Sequence, residues 1–488
     1  MSLLSLLLWT PIAGALVVAA SGARERQVAH GLALVVSLLT LLLAVTVALR
    51  FDPAQSGIQL AISHAWAPSS GLSYALGIDG LSLPLVLLAA GMMVPALLAG
   101  ERVEERPHSF YAWMLMLEGA TLGVFLAQDW ALFTMFWELT LIPIFFLVGE
   151  WGGPRRHPAA LTFLLYTMAG SAFLLTALLS AYVLLPTHSF AMGGFAASAR
   201  ALPALAQGLI FAGFAMGFLV KMPAVPFHGW LVPAYVQSAT PVTAFVAAVL
   251  GKMGAYGLLR ASAAFPAGAA ALSPVLATLG AAGVLLGALL AWRQQALKPM
   301  IAWSSLSHVG FILVGIAAGN PAGLTGAVLQ MVAHGVIVGA LFLLVGAWSH
   351  RTGAEEVPTH GALFAEAPVL GGLFALALFA SAGLPGFGGF AAEVHIFRGG
   401  WERWGLLVGL LPVGGLLWAL TAVRVAGRLL RGAGTTRPLP DLAPLERVAI
   451  VPLLGLLVWL GWRADAVAGW GQDAIRRIAS ALAGAGEV

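Results

Sequence analysis

Residues 220–233 read VKMPAVPFHGWLVP and residues 381–393 read SAGLPGFGGFAAE. Both stretches interrupt apolar runs long enough to cross a lipid bilayer. Pro223, Pro226 and Pro233 each remove a backbone donor from the first. Gly383, Pro385, Gly386, Gly388 and Gly389 loosen the second. A helix broken at membrane depth exposes amides and carbonyls that only protein or water can satisfy. Outward from these two breaks, apolar runs of about 17–25 residues, the length that spans the hydrocarbon core, recur from end to end. They lie near 3–21, 29–49, 81–100, 109–127, 130–149, 159–185, 204–236, 241–262, 272–292, 298–318, 324–347, 366–397, 404–424 and 446–462. The pattern predicts an all-α polytopic membrane protein of about fourteen spans. Alternating ten-residue strands of a membrane β-barrel are absent.

The breaks fall in spans seven and twelve. Dividing the chain into spans 4–8 and 9–13 puts each break in the fourth helix of five. Five is odd, so the second set enters the membrane from the opposite side, the pattern of an inverted repeat whose paired breaks mark a transport path. The expected divisions are 1–100, holding spans 1–3 and an outer loop at 51–80; 101–262 and 263–425, the two repeats; and 426–488, the last span and a tail. In the tail 463–488, Arg476 and Arg477 beside Ile475, Ile478 and Leu482 suggest an amphipathic surface helix. A frayed terminus is the plainer alternative.

Composition agrees. The 488 residues are 60% apolar and 9% charged, against about 25% charged in a soluble domain. Such a chain cannot be a soluble enzyme, a disordered protein or a secreted disulfide scaffold. With zero Cys, thiolate-held iron–sulfur clusters, CxxC redox chemistry and Cys-ligated zinc are excluded. The net charge is +4, but the basic residues are scattered, so nucleic acid is not an expected partner. No GxGxxG or P-loop follows a strand, and no HxxxH, HExxH or acidic cluster is present, so neither a nucleotide nor a metal site is expected. Glu393 with His395 is a two-residue coincidence. The first span has no basic stretch before it and no small-residue cleavage site, and reads as a retained anchor. Of the 24 Lys and Arg, Lys221 and Lys252 fall inside spans. The others split fourteen to eight against the N-terminal side, which puts both termini outside, in the periplasm of a bacterium.

Ionisable groups inside spans are few, and each costs about 2.5–3.5 kcal/mol near the bilayer centre on insertion scales. They are Glu118 in span four, Glu138 in span five, Lys221 at the first break, Lys252 in span eight and Glu393 after the second break. His228, His308 and His334 are titratable groups in the same depth range. Glu138, in FWELTLIP, has no cation on its own helix, and Lys221 is its natural partner. Such a pair titrates as a unit, so changing its separation moves protons; the alternative is a static ion pair. Gly251, Gly254 and Gly257 carve space around Lys252, and a lysine with no carboxylate in its own segment suits a proton relay; snorkelling to the interface is the alternative. Glu393 gives the second half its own acid, unless it is solvated at the membrane surface. His308 and His334 have the acidity to bridge Lys and Glu sites or serve as packing residues. His228 follows the first break and is read as organising it, and Glu118 as coupling to an adjacent subunit.

At FWELTLIPIFFLVGEWGG (136–153), VKMPAVPFHGWL (220–231), GKMGAYGLLR (251–260), LKPMIAWSSLSHVGF (297–311) and GLPGFGGFAAEVHIF (383–397), the sequence resembles the antiporter-like membrane subunits of proton-pumping NADH:quinone oxidoreductase, respiratory complex I. The resemblance runs from GIDGLSLPL at residue 77 to about residue 400. FWELTLIP and a Glu after the second break resemble the branch called M in bacteria. The resemblance implies fourteen helices with two inverted five-helix repeats and a proton path through Glu138, Lys221, Lys252, His308, His334 and Glu393. It also implies partners: sibling antiporter-like subunits of a membrane arm in the bacterial inner membrane, with NADH, FMN, iron–sulfur clusters and quinone held by other subunits and no cofactor in this chain. The sequence departs from the family where PDAHVEAPT is usual and VPAYVQSAT stands, so Pro233, Tyr235 and Gln237 replace Asp, His and Glu. Thr162 and Ala296 replace a customary Lys and acid. The alternatives are a subunit of a multi-subunit sodium/proton antiporter and a non-pumping scaffold.

Overall fold

The structure is a computed structural model that describes residues 2–22, 25–99, 103–353, 363–430 and 439–485. Arg24, Arg102, Arg431 and Arg437, which enter the orientation count, lie outside the described residues.

Helices α1 (Leu3–Ala20) and α2 (Arg26–Arg50) open the chain. Where a long outer loop is expected, LAISHAWA alternates for long enough to pair, and β1 (Gln59–Ala67) and β2 (Leu72–Ile78) form an antiparallel hairpin. Tyr74 of the hairpin accepts from Trp9 Nε1 at 3.0 Å and donates to Ser5 Oγ at 3.0 Å, which puts the start of α1 on the hairpin face. Helices α3 (Ser82–Ala99) and α4 (Pro107–Leu126) follow. The fifth span is not one helix. It is α5 (Trp130–Leu139) and α6 (Leu141–Trp151), separated by the single residue Thr140, within one 22-residue apolar span. Pro143 is the reason: it has no N–H to give the Leu139 carbonyl four residues back.

Next come α7 (Arg156–Leu184), α8 (Met192–Ala199) and α9 (Ala204–Lys221), which stops at Lys221 where the first proline-rich stretch begins. The chain resumes as α10 (Leu231–Gln237) and α11 (Thr240–Ala264). Helices α12 (Pro266–Arg293), α13 (Leu297–Ala318) and α14 (Pro321–Thr352) are long and continuous, and α15 (Leu363–Glu366) is a single turn. The second break separates α16 (Pro368–Ser381) from α17 (Gly388–Trp404). Gly383 at φ +70° and Gly386 at φ +99° adopt backbone that other residues avoid. Helices α18 (Leu410–Leu430), α19 (Pro444–Trp462) and α20 (Ala464–Ala485) complete the chain.

Thirteen segments among the described residues are long and apolar enough to cross a membrane. The expected number is fourteen. The difference lies at the second break, where α16 has only 14 residues and Gly388–Leu430 forms one 43-residue apolar stretch. Counting α16 with α17 as one crossing and α18 as the next recovers fourteen.

Helices α11, α13 and α14 are buried almost throughout and form the centre of the bundle. Lipid tails supply no hydrophobic drive between helices, so close contact depends on small residues. Gly280, Gly287 and Gly310 let α12 and α13 touch backbone to backbone. Helix α20 lies on the hairpin face with Val467, Ala474, Ile475 and Ile478 buried and Arg476 and Arg477 exposed. Asp473 on α20 accepts from the Gly57 amide at 3.2 Å, so both chain ends sit on one face.

Candidate functional site

The freed backbone at each break is sealed by a tryptophan. Trp230 Nε1 donates to the Val220 carbonyl at 2.8 Å at the first, and Trp418 Nε1 to the Ser381 carbonyl at 2.9 Å at the second. Indole suits this task because it has one donor and an otherwise apolar body.

Lys221, the last residue of α9, points at the discontinuity in the fifth span. Its Nζ donates to Thr140 Oγ1 at 2.8 Å and to the Trp137 carbonyl at 3.3 Å, and it lies 4.6 Å from the centre of the Trp137 ring. Thr140 donates to the same Trp137 carbonyl at 2.7 Å. Sequence reasoning places Glu138 against Lys221 as an ion pair. The structure corrects this: among the described residues no carboxylate oxygen stands within 4.0 Å of Lys221 Nζ. Glu138 Oε1 is buried with no hydrogen-bond partner. The site therefore holds a separated acid and base with a threonine and an open carbonyl on the base.

Gly251, Gly254 and Gly257 are also corrected. They do not surround Lys252; they admit the first break, Gly254 meeting Phe218 and Met222 and Gly257 the Phe218 ring. Lys252 faces the other way, into the bundle. Its Nζ donates to the Ala247 carbonyl at 2.9 Å and is 3.0 Å from His334 Nδ1. The His334 ring stacks on His308 with centroids 5.0 Å apart. Lys252 and His334 are each 2% exposed and His308 4%. His308 has Nδ1 2.8 Å from the Ser304 carbonyl and Nε2 3.0 Å from the Ser381 carbonyl. A neutral imidazole donates from one nitrogen only, so one of these contacts opposes two lone pairs. The imidazolium donates to both. The seat thus matches the protonated ring, and one of its walls is the carbonyl that the second break sets free.

Glu393 lies beyond that break on α17. It lines a cavity of about 330 Å³ with Phe311, Gly383, Phe390, Leu411 and Leu416. A methyl group on Gly383 would stand 2.6 Å from Glu393 Oε2, so the missing side chain makes room for the carboxyl group. Glu118 is wholly buried within this chain, beside Ser37 of α2. His228, in the turn between α9 and α10, is half-buried against Trp303, with ring centroids 5.8 Å apart. His395 Nδ1 turns to the Ala391 carbonyl at 2.8 Å. Among the described residues no group of three or more His, Asp or Glu could hold a metal ion.

Three features escape sequence reasoning. Thr140 holds Lys221, and its only signal is Pro143, three residues further on in the same motif. Gln330, one turn before His334, is buried with neither amide atom partnered. Arg260 on α11 grips Asp79 with both guanidinium ends, at 2.7 and 2.8 Å. Burial alone would raise the Asp79 carboxyl, but Arg260 and the amides of Ser82 and Leu81 outweigh it and hold it below the usual carboxylate range.

Residues 127–417 match the family described as NADH:quinone oxidoreductase/Mrp antiporter, transmembrane. NAD(P)H-quinone oxidoreductase chain 4 1 of Synechococcus sp. (strain JA-3-3Ab) is 40% identical over 351 residues, covering 72% of this chain and 66% of that protein. Chain 4 2 of Thermosynechococcus vestitus (strain NIES-2133 / IAM M-273 / BP-1) is 38% identical over 403 residues, covering 81% and 74%. The chain thus spans about two thirds of the length of the first of these curated relatives. Among solved structures, a chain of respiratory complex I from Thermus thermophilus with bound NADH superposes with a TM-score of 0.90 at 28% identity, covering 98% of this chain and 99% of that one. A chain of the Mrp complex from Dietzia sp. DQ12-45-1b gives 0.84 at 25% identity, covering 96% and 52%.

Proposed function

Because the chain belongs to the NADH:quinone oxidoreductase/Mrp antiporter transmembrane family, we propose that it is the antiporter-like subunit M of a proton-pumping NADH:quinone oxidoreductase and moves protons across the bacterial inner membrane. The observation that carries this reading is the buried row from Lys252 through His334 and His308 to the Ser381 carbonyl, which joins the centre of α11 to the second broken helix. In this proposal residues 101–262 and 263–425 act as inverted repeats, and the row crosses from one to the other. Lys252 takes the proton, the histidines pass it on, and it leaves past Glu393. Glu138 and Lys221 gate the loading: when Lys221 leaves Thr140 for Glu138, the positive charge near Lys252 shifts.

Energy comes from quinone reduction in partner subunits that carry NADH, FMN and iron–sulfur clusters, since this chain has zero Cys to ligate a cluster. Moving one charge against 100 mV costs about 2.3 kcal/mol. A change of one pKa unit is about 1.4 kcal/mol, so coupling must alter the loaded site by about two units per proton. The hairpin face, which holds both chain ends, is assigned to the periplasm on the balance of basic residues. The test is Glu138→Gln in the assembled complex, in vesicles. Electron transfer with sharply lowered proton pumping is expected, and undiminished pumping would remove Glu138 from the mechanism.

A second reading, a subunit of a sodium/proton antiporter, is favoured by the likeness to the Dietzia Mrp complex. Mass spectrometry of the gently purified assembly separates the two: water-soluble redox subunits belong to the first reading only.

A further inference from the structure

The side chain of Lys252 runs back along α11. Its Nζ meets the carbonyl of Ala247, five residues nearer the helix start, which sets the ammonium several ångströms below its own Cα, toward the face opposite the hairpin. On that face Thr240, Pro241, Leu343, Ala347, His350 and Glu446 line a cavity of about 510 Å³. The cavity closes the end of the seam where α3, α11 and α14 meet. Small residues line this seam at each level: Gly346 lies on Thr240, Gly339 on Ala244, and Gly335 on Ala248. What fills it comes from α3. The Met92 thioether occupies the space in front of Gly339, and Leu88 the space in front of Gly335. Ala247 is six residues from Pro241, about 9 Å of helix at 1.5 Å per residue. Next to Gly335, the Nε2 of His334 is buried with no partner.

We propose that this cavity is the vestibule from which Lys252 is loaded, and that Met92 is the gate between them. The inference rests on the proton-translocation reading and adds an access route apart from the break at 220–233. A dry constriction formed by the Met92 and Leu88 side chains stops water until they move. Met is unbranched with three rotatable bonds, so it clears the seam without displacing a helix. With Met92 turned aside and Leu88 shifting into the space it leaves, water from the cavity reaches the Lys252 amine. A hydronium gives up one O–H bond, the amine gains an N–H bond, and a water molecule is left in the seam. When Met92 returns, the loaded ammonium is shut off from the face that supplied it and lies against His334.

The test uses the absence of native Cys in this chain. Leu343→Cys, carried by the whole complex in liposomes, is treated with methanethiosulfonates of similar size bearing trimethylammonium or sulfonate, and labelling of this chain is followed by mass. Proton translocation driven by NADH is then compared. Against a neutral methyl methanethiosulfonate adduct the cationic one is expected to slow it about ten-fold, the order set by a unit charge about 10 Å away at an effective dielectric near 20, and the anionic one is not expected to slow it. Equal slowing by both adducts would make the cavity a merely structural element, and full labelling without slowing would remove it from the route. A thiol that neither reagent reaches would show a cavity closed to water, filled by lipid or a partner, and would overturn the vestibule. Met92→Ser provides an independent reading: passive proton leak without substrate rises if Met92 is the gate and stays unchanged if it is packing. If the unmodified complex moves no protons on adding NADH, the proposed function itself fails, a result distinct from all of these.

Discussion

Lys252 Nζ stands 3.0 Å from His334 Nδ1, although 82 residues separate them in the chain. The contact places a hydrogen-bond donor and acceptor across α11 and α14 in the driest part of the bundle. Replacing Lys252 by Met keeps the length and apolar stem but removes the protonatable nitrogen. We expect assembly to persist and proton yield per NADH to fall by the share that this subunit carries. Vesicle acidification measured beside NADH oxidation checks this, and a normal yield would place the proton elsewhere.

His308 faces two carbonyls and can satisfy both only as an imidazolium. Gln at 308 carries no titratable proton, so His308→Gln is expected to stop proton transfer while leaving the complex assembled. His308→Arg is expected to satisfy both carbonyls permanently and to block turnover by holding a fixed charge. Comparing the two variants for pumping and for thermal stability tests the seat. An Arg variant less stable than the Gln variant would contradict it.

The breaks were legible because Pro223, Pro226, Pro385 and the glycines around them act through local backbone chemistry. The partner of Lys221 was not. A carboxylate in FWELTLIP draws the eye to a charge pair, yet Lys221 takes the Trp137 carbonyl and the Thr140 hydroxyl, groups that no charge pattern marks. The same limit applies to His308: its second acceptor is the Ser381 backbone, a group every residue carries. Glycine spacing was misread at Gly254 and Gly257 because the sequence shows that space is needed but not which neighbour fills it. Periodicity places a residue on a face of its helix; the packing of other helices decides what that face meets.

Thr140 is expected to matter through Lys221 alone. Thr140→Val keeps shape but removes the hydroxyl, leaving a buried ammonium with one carbonyl, at a cost of about 1–3 kcal/mol. Thr140→Ser restores the oxygen and should restore stability and pumping together. A Val variant with unchanged melting temperature and unchanged proton yield would show that Lys221 finds another partner, with Glu138 the first to examine.

Asp79 and Arg260 form a buried pair whose acid response has a definite sign. The folded-state carboxyl of Asp79 is held below its usual range, so its contribution is fully present above the unfolded value near 3.9 and is lost as pH falls through the folded one. Asp79→Asn breaks one side of a buried pair, a loss of about 3–5 kcal/mol, and leaves Arg260 without its counter-charge. The variant is expected to be less stable than the parent at pH 7 and to show a flatter stability profile below pH 4. Melting curves of the purified complex across that range check both points, and parallel profiles would show that Asp79 does not govern the acid limb.

Gly383 joins backbone conformation to the position of Glu393. It holds φ at +70°, and a methyl group there would press on Glu393 Oε2. Gly383→Ala therefore incurs left-handed strain of about 1–2 kcal/mol and pushes the carboxyl group from its place beside the second break. Gly383→Asn tolerates the backbone better but crowds Glu393 more, so the two variants separate strain from displacement. If Glu393 is the release group, Asn lowers proton yield at least as much as Ala while destabilising the protein less. Yield that follows stability alone across the two variants would reduce Gly383 to a turn residue and remove the support it gives to Glu393.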